Sequence, residues 1–139
     1  PREIEEAERD FQQVMETMRG EKVDVAFFPV DPRLGMMFDA GPNYFAMVVK
    51  PRLMIPMHFW ERAEVIREYA RRSRSPQTEI IAMTTPGDMI LVEFDEQENM
   101  TVHMQSVTSA PVARNKKVQL EAYDGENPFN DSDLPVDME

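Results

Sequence analysis

The chain has 139 residues, 42% of them apolar or aromatic, with 15 Lys and Arg against 26 Asp and Glu, a net charge of −11 and a pI near 4.6. That is one domain by the usual yardstick of roughly 100–200 residues, and a domain of this size buries about 68–70% of its unfolded surface, so it needs no disulfide or metal to fold. The acidity argues against a nucleic-acid binder that neutralises phosphates and against docking on an anionic membrane, while the absence of cysteine excludes thiolate metal sites and thiol chemistry.

No apolar run approaches the ~20 residues of a membrane span, and the opening PREIEEAERD lacks the basic start and apolar stretch of a secretion signal. The expectation is a soluble, cytoplasmic protein. Because the first residue is Pro1 and not Met, the start reads as a processed end or a cut inside a longer reading frame.

From Arg2 to Arg19, Ile4, Ala7, Phe11, Val14, Met15 and Met18 recur at the spacing of one helix face, with Glu3, Glu5, Glu6 and Glu8 near the positive end of the dipole. The acidic cluster reads as a solvated face. VDVAFFPV, residues 23–30, is almost wholly apolar and predicts an inner parallel strand covered on both faces, ending in the turn-forming stretch Asp31-Pro32-Arg33-Leu34-Gly35. After a stretch without clear period, Pro42 opens a short helix through Val49, with Tyr44, Phe45 and Val48 on its apolar side.

RLMIPM, residues 52–57, predicts a second inner strand with Pro56 near its end, where a missing ladder donor does least harm. Helical spacing returns from Glu61 to Ser73 through Val65, Ile66, Tyr69 and Ala70. Arg67, Arg71, Arg72 and Arg74 around its last turns solvate and cap it, or bind an anionic ligand. Short strands are expected at 79–83, 89–94 and 99–105, the last two forming a hairpin across Asp95-Glu96-Gln97-Glu98. Residues 1–105 therefore form the α/β domain, its first two strands parallel. Residues 106–139 form a weakly ordered tail, with seven acidic and no basic residues from 121 onward.

No G-x-G-x-x-G, P-loop, G-x-S-x-G or H-E-x-x-H occurs. Of the two histidines, His103 lies in a predicted hairpin strand and reads as a partly exposed structural residue. His58 directly follows an inner strand at its carboxyl end, where ligand-binding groups collect in open α/β sheets. By position it is either a hydrogen-bonded structural histidine or a metal ligand kept dry by Phe59 and Trp60. Asp31 reads as a turn former, and Arg33 as the partner of a nearby carboxylate or as a contact for an anionic substrate.

VDVAFFPVDPRLG, then a short helix, then KPRLMIPMHFW resembles the second half of a metallo-β-lactamase-fold hydrolase. More narrowly, it is similar to the branch containing L-ascorbate-6-phosphate-lactonase-like and RNase-Z-like proteins. The similarity spans about residues 3–94. It implies half of an αββα sandwich, with His58 as the last ligand of a two-zinc site. Asp31, Arg33, Phe59 and Trp60 would then lie at the rim of a pocket for a small-molecule ester, lactone or phosphoester attacked by zinc-activated water. The family's H-x-H-x-D-H signature is absent, so the resemblance implies a carboxyl-terminal part that is inactive alone and leaves an apolar sheet face uncovered. Twelve methionines suit either a core or such a face, through which the chain could form a homo-oligomer. The alternatives are a non-catalytic α/β module that dimerises or binds a protein partner, and a small-ligand sensor using the two loops.

Overall fold

Alternating helices and apolar strands assemble, in a computed structural model that describes residues 2–108 and 112–115, as a layered α/β structure. The order is α1 (Arg2–Glu16), β1 (Val25–Pro29), a 3-10 segment (Pro32–Met37), α2 (Ala40–Val49), β2 (Leu53–Met57), α3 (Ala63–Arg72), β3 (Glu79–Ile80), β4 (Met89–Phe94) and β5 (Met100–Gln105).

The first three strands form a parallel sheet in the order β1-β2-β3, with Val25 opposite Leu53, Pro29 opposite Met57 and Met54 opposite Ile80. Side chains alternate between its faces. Ala26, Val30, Met54 and Ile80 face the helices and share a core with Phe45 and Val49 of α2 and Ile66, Tyr69 and Ala70 of α3. Phe28 stacks on Phe45 with ring centroids 4.4 Å apart. Leu53, Ile55 and Ile81 face the other way, onto Ile90 and Val92 of β4 and Val102 and Met104 of β5. The antiparallel β4–β5 hairpin therefore covers the face opposite the helices. Met54, Ile66 and Ile80 are wholly enclosed, and burial stabilises each by about 1.5–3 kcal/mol.

Several boundaries move. Helix α1 stops at Glu16 rather than Arg19: from Thr17 on the backbone tightens to i→i−3 bonds, Thr17 N to Val14 O at 3.1 Å and Arg19 N to Glu16 O at 3.1 Å, and the Thr17 hydroxyl also donates to Val14 O. None of α1 is buried, since it packs on α2 rather than on the sheet; Ile4 and Val14, expected on a covered face, are exposed. The stretch without period becomes the 3-10 segment, kinked at Gly35, whose φ of 60° suits a residue without Cβ.

One expectation is overturned. β1 is an edge strand, not an inner one covered on both faces, and Phe27 is 61% exposed. β2, flanked on both sides, has the buried pattern of a central strand. Its Pro56 is next to last, where the short β3 no longer reaches it. The ladder of β3 holds two residues, and the expected remainder of that strand pairs instead at Ile81 with Arg114 in an antiparallel bridge. Residues 112–115 thus fold back on the sheet, with Ala113 in the helix-side core, inside the stretch read as tail. The rest of the tail, 116–139, and residues 109–111 lie outside the described residues.

Candidate functional site

Parallel register puts the ends of β1 and β2 level: Val30 N donates to Met57 O at 3.0 Å, so Asp31 and His58, one residue further on, emerge side by side. Asp31 starts the 3-10 segment by accepting the Arg33 amide at 2.9 Å, the usual N-cap service of an aspartate before proline. Its carboxylate also receives Arg33 Nε at 3.0 Å and Nη2 at 2.6 Å. These hydrogen bonds hold the Asp31 carboxyl below the usual carboxylate range, helped by the charge of His58. Arg33 therefore does pair with a nearby carboxylate, and two of its N–H groups are spent on it.

The guanidinium carbon of Arg33 lies 4.6 Å from the centroid of the Trp60 ring, within cation–π range. Trp60 is 60% exposed, so the arginine and the indole form an open ledge above the strand ends. His58 is exposed beside Asp31, and among the described residues its imidazole has no hydrogen-bond partner. Phe59 parts company with the others. It turns inward against the helix-side core and is an anchor for the loop rather than a rim residue. This alternation is enforced by the backbone: His58 and Trp60 take φ of 62° and 55°, a region that non-glycine residues enter at a cost and that is enriched at functional loops.

As a metal centre the described residues fall short. A zinc hydrolase site needs about three protein ligands and an open position. Here His58 has one neighbouring carboxylate, already engaged by arginine, and no group of three or more potential ligands occurs among the described residues. The two donors alone do not compose a zinc site.

His103 sits on the outer face of the hairpin, its Nε2 3.0 Å from Glu93 Oε2, in the structural role expected of it. Arg72, ending α3, and Arg74 just beyond it do something composition did not show: with α2 they wall a cleft of about 490 Å³, away from His58, whose lining includes Lys50 and Tyr69. The only sequence signal for it was the alternative of an anionic ligand for those arginines. No helix among the described residues is long and apolar enough to cross a membrane. Comparison with protein-family models, with curated proteins and with solved structures finds no match to this chain.

Proposed function

We propose that this chain is the carboxyl-terminal part of a metal-dependent hydrolase of metallo-β-lactamase type, one half of an αββα sandwich, acting on a small-molecule ester, lactone or phosphoester. The observation that carries the reading is the juxtaposition of Asp31, Arg33, His58 and Trp60 at the level carboxyl ends of two parallel strands. His58, with no hydrogen-bond partner among the described residues, would supply one ligand to a zinc ion, the remaining ligands coming from an upstream half, and such a metal would supply activated water. Arg33 and Trp60 offer a cationic and a flat apolar surface to the substrate's acidic group and its body. The open edge of β1, with Phe27 exposed on it, is where a further strand would add.

Reading the coding sequence upstream of Pro1 tests this. An in-frame H-x-H-x-D-H within about one domain's length supports it. In the joined protein, His58→Ala is then expected to lose zinc and most turnover; unchanged zinc content sinks the assignment.

A second reading rests on the same edge: a non-catalytic module that pairs with a second copy or a protein partner through β1 and Phe27. It expects a dimer in analytical ultracentrifugation that Phe27→Lys dissociates, whereas the hydrolase reading expects Phe27→Lys to impair joining to the upstream half.

A further inference from the structure

The cleft on the helix side, about 490 Å³, falls within the roughly 300–1,000 Å³ typical of small-molecule sites and is separate from the His58 ledge. Its body is apolar. Phe38, Ala46 and Met47 line it, and the Tyr69 ring meets Phe38 edge-on with centroids 6.4 Å apart. Tyr69 is itself buried and donates its hydroxyl to Asn43 Oδ1 at 3.1 Å, which leaves the Asn43 amide to donate into the space.

The rim is cationic in an acidic protein. Lys50, Arg72 and Arg74 face a single lining carboxylate, Asp39, although the chain as a whole carries −11. Lys50 and Arg72 stand at the ends of α2 and α3, where part of their charge offsets the helix dipoles, and Arg72 has Glu68 at 4.0 Å. Arg74 lies beyond α3, and among the described residues neither it nor Lys50 has an ion-pair partner. Three cations against one carboxylate, over a low-dielectric floor, focus a positive potential into the opening.

We propose that this cleft is a second binding site, for a small organic anion whose aromatic or acyl body lies on Phe38, Met47 and Tyr69 while its carboxylate or phosphate meets Arg72, Arg74 and Lys50. An inorganic anion alone lacks the apolar contacts, and a cation of the same shape meets like charge. The aromatic floor and the unused Asn43 donor set the ligand's class; the arginines set its sign.

The test uses the 139-residue chain, with phenyl phosphate, inorganic phosphate and benzylamine as probes, followed by amide and side-chain NMR shifts. Phenyl phosphate is expected to shift Asn43, Ala46 and Gln77 saturably, with an affinity at least about tenfold above either comparison probe. Arg72, Arg74 and Met47 are all exposed, so their substitution leaves the core intact. Arg72→Gln/Arg74→Gln and, separately, Met47→Glu are each expected to weaken phenyl phosphate by about tenfold or more, with the fold and cooperative melting retained. Equal affinity for benzylamine, binding insensitive to both variants, shifts confined to residues around Trp60, or no saturable binding each overturns the proposal.

Discussion

Arg33 lies over the face of Trp60, 4.6 Å from guanidinium carbon to ring centroid, while its other edge is held by Asp31. Trp60 is the sole tryptophan, so its fluorescence reports this one contact. Arg33→Ala removes the cover and is expected to shift emission to longer wavelength and increase quenching by acrylamide. Asp31→Asn, which loosens the guanidinium without removing it, is expected to do the same more weakly. Identical spectra for all three proteins would mean that the ledge is not formed in solution.

Glu16, Asp31, Glu64, Asp95 and Glu98 share the acid response, each lowered by a hydrogen-bond partner. Hydrogen bonds from the Arg19 guanidinium bring the Glu16 carboxyl down to about 2; those from Arg33 lower Asp31, and those from Asn99 lower Asp95. A carboxyl whose folded value lies below its unfolded one, about 4, stabilises the fold fully above that unfolded value and progressively less as pH falls toward the folded value. The melting temperature is therefore expected to drop between about pH 4 and about pH 2, with Glu16→Gln flattening the drop. Below the pI near 4.6 the chain is net positive, and its growing repulsion lowers stability over the same range, so the comparison that decides is variant against parent. A parallel decline in both would remove Glu16 as a contributor.

His58 has a left-handed backbone with φ of 62° and an imidazole with no hydrogen-bond partner among the described residues. Its conformation costs of order 1–3 kcal/mol. His58→Gly is expected to keep or raise stability, whereas His58→Val, β-branched at positive φ, is expected to lower it by about 1–2 kcal/mol in urea unfolding. A loss of stability in the glycine variant would mean that the side chain is structural.

Asn115 closes the far edge of the sheet with its side chain. Its Oδ1 accepts the Ile80 amide at 2.7 Å and its Nδ2 donates to Thr78 O at 2.9 Å, so one amide group satisfies a donor and an acceptor that a neighbouring strand would otherwise take. Beside it, Arg114 comes within 3.9 Å of the buried Glu79. Asn115→Leu leaves both backbone groups wanting partners, at a cost of about 1–3 kcal/mol. Asn115→Asp, which sets an acceptor against the Thr78 carbonyl, is expected to cost at least as much. Proteolysis after the described core should accelerate in both variants; unchanged stability and cleavage would show that residues 112–115 contribute nothing to the fold.

Local signals in the sequence were sufficient for whatever depends on near neighbours along the chain. The apolar stripe of Ile66, Tyr69 and Ala70 made α3 legible, because a helix with one apolar face has few other stable placements. The wholly apolar 53–57 made the central strand legible, and the aspartate before Pro32 marked the turn that carries the ledge. That Asp31 and His58 belong near one another came from the resemblance, which sets their two loops around one pocket.

Tertiary structure alone decided which strand is central. β1 and β2 read alike, yet an apolar run records only that a segment prefers to leave water, not how many strands flank it; the edge position of β1 and the exposure of Phe27 follow from pairings made across the chain. The return of residues 112–115 to Ile81 was invisible for the same reason, since it rests on backbone hydrogen bonds, one asparagine amide, a single buried alanine and Arg114 beside Glu79, which leave no periodic trace. So too with the cleft: four arginines around the end of α3 were legible as charge, and only the packing of α2 against α3 set two of them around an apolar hollow.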